Sequence, residues 1–269
     1  MRDLATELLI RPGSKVKLAQ IDPSDTLGKQ KAAAGEHLTK NLDKLGILQY
    51  RLYAESKRSL LIVLQGIDAG GKDGTIRHVM SGFNPQGASV TSFKVPAGAE
   101  KQHDYLWRVH TAVPKYGEIG IFNRSHYEEV LVVRVHNLVP PAVWKKRYDQ
   151  INHFEETLAE NGVNIVKFFL YIDRDEQRRR FESRIEDPAK NWKFSQADVE
   201  ERKFWDDYMG AFEEAIERCS KPWAPWYVIP ANKKWFRNLA VSEVLVHTLE
   251  SMKLKYPKPA GDLSKIHFE

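Results

Sequence analysis

Cysteine is almost missing from this chain: of 269 residues only Cys219 is one. No disulfide can form within it, which excludes a disulfide-stapled scaffold and agrees with a reducing compartment. Long apolar runs are missing too. None approaches the roughly 20 residues that a helical membrane span needs, and the opening Met1-Arg2-Asp3-Leu4 lacks the layout of an export signal. The expected location is therefore the cytoplasm, with no membrane partner. No Cys/His pairs stand at zinc spacing, and RNA-binding signatures, internal repeats and low-complexity tracts are absent. What the chain does have is a basic excess, with a net charge of +5 and a pI near 9.1. Without nucleic-acid motifs, that excess points to a solvated basic surface or a small polyanionic substrate rather than to DNA or RNA.

Hydrophobic residues make up 42% and charged residues 29% of the chain, the balance of an ordinary globular protein. Turn signals at Pro12-Gly13, Asp22-Pro23 and Leu27-Gly28 come first. Leu38, Leu42, Leu45, Leu48 and Leu52 then recur at helical steps, predicting a helix over 35–57. Short apolar runs predict buried strands at 59–65, 88–93, 118–122, 163–172 and 226–229. Helical patterns separate them at 99–110, 142–161, 174–185, 196–218 and 236–252. Five strands alternating with helices predict an α/β fold, a parallel sheet covered on both faces. The expected organisation is an N-terminal extension over 1–58, a core over 59–252 and a tail over 253–269.

Gly66-Ile67-Asp68-Ala69-Gly70-Gly71-Lys72 matches G-x-x-x-x-G-K between a predicted strand and a predicted helix. The backbone N–H groups of such a loop, with the helix N-terminus behind them, cradle a phosphate, and Lys72 reaches the outer phosphates. Asp73 stands where Ser or Thr normally offers a hydroxyl to Mg²⁺. An acid inside an anion site repels phosphate unless a cation lies between them, which makes Asp68 or Asp73 a candidate to face that cation. The competing reading is a glycine turn in which Asp73 favours the helix N-terminus.

A second segment, Asn123-Arg124-Ser125-His126-Tyr127-Glu128, ends another predicted strand, the place where α/β sheets gather ligands. Asn123 cannot act as a base, and Arg124 is a candidate phosphate clamp. Ser125-x-x-Glu128 reads either as a capping box or as a source of the carboxylate that Asn123 lacks.

Taken in order, several motifs resemble the polyphosphate kinase 2 family. They are GIDAGGKDG over 66–74, FNRSHYE over 122–128, WKFS over 192–195 with Trp205 and Tyr208, and APWYVIPANKKW over 224–235. The resemblance extends from about residue 30 to about residue 252. It implies a P-loop kinase-like three-layer fold with a five-stranded parallel sheet and lid helices over about 174–218. It implies Mg²⁺-dependent phosphoryl transfer between inorganic polyphosphate and adenine nucleotides, and a homo-oligomer, dimer or tetramer. Many family members carry Asp where this chain has Asn123; Asn there with Glu128 downstream resembles the third class, which phosphorylates both AMP and ADP.

On that reading Asp68, Lys72, Asn123, Arg124, Glu128 and Arg178 are the catalytic candidates, and Asp68 and Glu128 the metal candidates. Gly66, Ala69, Gly70, Gly71, Asp73 and Gly74 form the phosphate-binding loop with Lys72. Arg77, Lys94, Arg134 and Arg184 are candidates for a basic polyphosphate path, against the alternative of exposed helix faces. Trp226, Asn232 and Lys233 are nucleotide candidates, although a tryptophan there serves equally well in a core. An ATP-dependent nucleotide kinase and a non-catalytic nucleotide-binding module are the rival readings.

Overall fold

Ser59–Gln65 is an uninterrupted buried run, and in the computed structural model, which describes residues 3–263, it is the middle of the sheet. Residues 1–2 and the far end of the expected tail, 264–269, lie outside the described residues. Leu60, Leu61, Ile62, Val63 and Leu64 are fully buried, each side chain stabilising the fold by about 2 kcal/mol. A strand apolar on both faces has to be covered on both sides by helices.

The strands are β1 (Leu9–Ile10), β2 (Ser59–Gln65), β3 (Ala88–Ser92), β4 (Ile119–Asn123), β5 (Val163–Tyr171) and β6 (Trp226–Pro230). The helices are α1 (Leu4–Glu7), α2 (Lys31–Glu55), α3 (Lys72–Val79), α4 (Trp107–His110), α5 (Val132–Val135), α6 (Pro141–Glu160), α7 (Arg174–Glu186), α8 (Gln196–Glu201), α9 (Trp205–Cys219) and α10 (Lys234–Ser251). The sheet order is β1-β6-β5-β2-β4-β3, parallel throughout except for β1. One layer is built from α2, α3 and α10, which pack on one another, and the other from α5, α6 and α9.

Three expectations are corrected. The sheet has six strands rather than five, because Leu9–Ile10 pairs antiparallel with Trp226–Tyr227 on the edge. Two residues are too few to leave a periodic signature. The predicted helix over 196–218 divides at a 3-10 turn, Arg202–Phe204. Beyond it α9 buries Trp205, Tyr208, Ala211, Phe212, Ala215, Ile216 and Cys219 in the core. The predicted helix over 99–110 likewise reduces to a 3-10 turn, Gly98–Gln102, and the single turn of α4.

The strand order positions the site. β2 lies between β4 and β5, so the chain leaves β2 toward one edge and later returns to its other side. Open α/β sheets open a crevice at such a reversal, beyond the carboxyl ends of the strands. Leu64 pairs with Asn123, so the glycine loop after β2 and the segment after β4 leave the sheet side by side.

Candidate active site

The loop from Gly66 to Gly71 turns tightly enough to need unusual backbone. Ala69 has φ 62° and Gly71 has φ 110°. A Cβ on Gly70 would lie 2.8 Å from the Ile67 carbonyl oxygen, whose bond from the Gly70 N–H closes the turn. The loop delivers the chain into α3, whose first residue is Lys72.

Lys72 is only 8% exposed. Its Nζ donates to the Gly66 carbonyl at 2.6 Å and more weakly to that of Ile67 at 3.4 Å. Burial and the neighbouring Arg124 pull its pKa down to about 8, against the opposing influence of Asp68, Glu128 and Asp73. The ammonium therefore sits inside its own loop, hydrogen-bonded to carbonyls and short of negative charge.

Arg124 stands at the centre of the carboxylates. Its Nη2 meets Asp68 Oδ1 at 2.6 Å and its Nη1 lies 3.6 Å from Glu128 Oε2. Its φ is 62°, a left-handed conformation that a non-glycine residue adopts at a cost of order 1 kcal/mol and that recurs at functional sites. A backbone bond from its N–H to the Leu64 carbonyl holds the turn.

The capping-box reading of Glu128 does not hold. Ser125 Oγ accepts from the Tyr127 N–H and from Gln65 Nε2, while the Glu128 carboxylate faces Arg124. Burial raises the Glu128 pKa, opposed by Arg124, Lys72 and a hydrogen bond from Gln65. Asn123 Nδ2 donates to Asp73 Oδ1 at 3.0 Å, so the residue that replaces the usual hydroxyl is tied to the residue that replaces the usual aspartate. Asp68, Lys72, Asp73, Asn123, Arg124 and Glu128 thus form one cluster.

The other candidates divide. Arg178 lies on the exposed face of α7 with Glu182, 2.8 Å away. Arg184 lies over the Phe181 ring, and Arg77, Lys94 and Lys233 are exposed. Arg134 is engaged elsewhere, by Glu214 at 2.6 Å and the Tyr148 hydroxyl at 3.0 Å. Asn232 is used in tying loops together, through Asp173 and Ser24. Trp226 is a correction: it is 1% exposed and packed edge-on against Tyr127, which leaves no ring face for a base.

Four residues of the site escaped the sequence reading. Arg180, not Arg178, is the arginine of α7 that reaches the loop. It donates to the carbonyls of Ala69 (2.9 Å), Gly70 (3.1 Å), Ala231 (2.6 Å) and Asn232 (3.2 Å). Gln177 Nε2 holds the Asp68 carbonyl at 2.9 Å, and Gln65 supports Ser125 and Glu128. Arg237, from α10, presses on Gly71 and Gly74. The signal for the first pair was the inward set Gln177, Arg180 and Phe181 at helical spacing; for Arg237 it was a cation inside the apolar run of α10.

Below the cluster, a charged group with no exposure anchors the segment after β4. Lys167 Nζ meets Glu155 at 2.5 Å, the Tyr127 hydroxyl at 2.8 Å and the Cys219 carbonyl at 2.7 Å; His126 adds a bond to Glu155 at 3.1 Å.

A strand-end glycine loop with a buried lysine, beside a second strand end carrying arginine and carboxylates, defines a protein built to handle phosphate. The sequence profile of the family described as Polyphosphate kinase 2 matches residues 28–257, and the chain belongs to that family. It is 52% identical over 262 residues to the AMP/ADP-polyphosphate phosphotransferase of Meiothermus ruber, covering 97% of this chain and 98% of that one. It is 45% identical over 271 residues to the ADP-polyphosphate phosphotransferase of Rhodopseudomonas palustris, covering 96% and 94%. The crystal structure of polyphosphate kinase 2 from Arthrobacter aurescens TC1 superposes with a TM-score of 0.94 at 42% identity, over 98% of this chain and 94% of that one.

Proposed function

We propose that this chain transfers phosphoryl groups between inorganic polyphosphate and adenine nucleotides, converting AMP to ADP and ADP to ATP. The observation that carries the reading is the convergence of Lys72, Arg124, Asp68 and Glu128 where β2 and β4 end side by side. The names of the relatives from Meiothermus ruber and Rhodopseudomonas palustris supply the substrates.

The attacking atom is a terminal phosphate oxygen of AMP or ADP. With a second pKa near 6 it is mostly ionised at neutral pH, so a strong base is unnecessary and Asn123 is no handicap. It bonds to the terminal phosphorus of polyphosphate as the bridging P–O bond breaks, and the shortened chain leaves with the charge. The obstacle is repulsion between anions, which Lys72 and Arg124 offset. The loop amides and Arg124 hold the reacting groups in line. We assign closure over the substrates to the exposed stretch between the buried parts of α7 and α9, about 182–204, as the lid of a P-loop kinase-like fold.

The family's chemistry calls for a divalent metal, and we assign Mg²⁺. Asp68 and Glu128 present hard oxygen donors on two nitrogens of the same Arg124. Among the described residues no three His, Cys, Asp or Glu side chains form a metal cage, which fits an ion held by one or two carboxylates and completed by substrate phosphates. When bound, the ion neutralises charge on the reacting phosphates.

Among the described residues no helix is long and apolar enough to cross a membrane. A cytoplasmic homo-oligomer, dimer or tetramer, with no nucleic-acid partner, completes the proposal, with the core still taken as 59–252 between the extension over 1–58 and the tail. The test is incubation with AMP, polyphosphate and Mg²⁺ and no ATP. ADP followed by ATP is expected. ATP formed from ADP with AMP untouched would restrict the activity to ADP, and no product without ATP would favour an ATP-dependent nucleotide kinase.

A further inference from the structure

Arg237 is 2% exposed, in the first turn of α10, on a buried face that is mostly apolar apart from Asn238 and Ser242. Its guanidinium lies directly behind the glycine loop. A Cβ built on Gly71 would be 2.1 Å from Arg237 Nη1, and one on Gly74 would be 3.0 Å from Nη2. Its hydrogen bonds go to a neutral group, Asn238 Oδ1, from Nε at 3.1 Å and Nη2 at 2.8 Å. Among the described residues no carboxylate pairs with it.

Two other cations around the loop are compensated, while Lys72 has only carbonyl partners. Arg124 has Asp68 and Glu128, and Arg180 has Glu176 at 2.8 Å. Arg237 instead faces a second cation, Arg180, and the first turn of α3, the positive end of that helix. Burial and Arg180 pull its pKa down to about 10, which leaves it charged at neutral pH. A buried cation beside a helix N-terminus with no counter-ion is an unfavourable arrangement in the ligand-free protein. It becomes favourable when an anion occupies the loop in front of it.

We propose that Arg237 is a positioning residue whose uncompensated charge, applied through Gly71 and Gly74 from behind the loop, strengthens the hold of the loop on a phosphoryl group. Glycine at 71 and 74 is what lets the guanidinium come so near. This inference rests on the reading of 66–72 as a phosphate loop.

The experiment uses the full chain and inorganic tripolyphosphate as the probe, with binding measured by calorimetry and the ligand-free melting temperature recorded alongside. The variants are Arg237→Met, Arg237→Lys and Lys72→Ala. Arg237→Met should weaken tripolyphosphate binding about tenfold, the scale of one unit charge several ångströms away in an intermediate dielectric, while its ligand-free melting temperature holds or rises. Arg237→Lys should bind within about threefold of the parent. In steady state Arg237→Met should raise the KM for polyphosphate by more than it lowers kcat. A residue that only packs α10 against the loop gives the opposite pattern, a lower melting temperature with binding intact. Unchanged binding in Arg237→Met, or equal losses in Met and Lys, would overturn the inference. If Arg237→Met fails to fold, Arg237→Gln, which keeps a hydrogen-bonding head without the charge, carries the same test. The loop reading is judged separately: if Lys72→Ala binds tripolyphosphate as tightly as the parent does, that reading falls and this inference with it.

Discussion

Lys72 offers a direct physical handle on the loop. Its ordinary pKa of 10.5 is drawn down to about 8, first by burial and then by Arg124. A shift of that size corresponds to about 3 kcal/mol of unfavourable charge burial. The sign follows from proton counting. Between pH 8 and 10.5 the unfolded chain holds a proton on Lys72 that the folded chain has released, so Lys72 makes ligand-free stability rise with pH across that window; below pH 8 the full cost is present. An anion in the loop supplies the missing counter-charge and returns the pKa upward. Binding therefore takes up about half a proton on Lys72 at pH 8 and nearly one at pH 9, and affinity falls up to about tenfold per pH unit above 8. Calorimetric titration with tripolyphosphate in buffers of different protonation enthalpy reads the proton uptake. The same titration on Lys72→Arg, which stays charged throughout, subtracts the ligand's own protons. Affinity for the parent that stays level from pH 7 to 9.5, or uptake identical in parent and Lys72→Arg, would refute the reasoning.

Other outcomes follow from the same geometry. Glu128→Gln keeps the size and loses the charge facing Arg124; turnover should drop by orders of magnitude and the Mg²⁺ requirement rise with little change in melting temperature, and an unchanged rate would leave Glu128 structural. Gly71→Ala puts a methyl 2.1 Å from Arg237 Nη1 at φ +110°, a strain of roughly 1–3 kcal/mol that should lower the melting temperature by several degrees, whereas Gly210→Ala in α9, with nothing within 4 Å, should be neutral or stabilising. Lys167→Met strands Glu155 without its 2.5 Å partner; urea unfolding should register a loss of about 3–5 kcal/mol, with the Lys167→Met/Glu155→Leu pair recovering part of it.

The parts of the molecule visible in the sequence were those whose signal is local. Ser59–Gln65 reads as a buried strand, and the glycine pattern of Gly66–Lys72 directly after it reads as a phosphate loop more readily than as a plain glycine turn, so the centre of the sheet and its loop emerged together. The pairing of Asn123 with Asp73 spans 50 positions. Sequence spacing identifies both as atypical without joining them. Arg178 and Arg180 are two residues apart and equally basic; which of them turns inward is decided by the packing of α7 on the loop, and it is Arg180 that reaches the loop while Arg178 stays exposed. Trp226 was misplaced for a different reason. All of Trp226–Pro230 is buried, and a position inside a fully buried strand outweighs the appeal of an aromatic ring near a nucleotide. Glu128 needed coordinates, because a capping box and a site carboxylate share the same four-residue pattern.

The central claim is that polyphosphate itself is the phosphoryl donor in both steps. Polyphosphate labelled throughout with ³²P, incubated with unlabelled AMP, Mg²⁺ and the full chain, tests this most directly. The account predicts ADP labelled at its β-phosphate and ATP labelled at both β and γ, with Lys72→Ala yielding neither. Unlabelled products, or ADP that appears only when unlabelled ATP is supplied as donor, would contradict it.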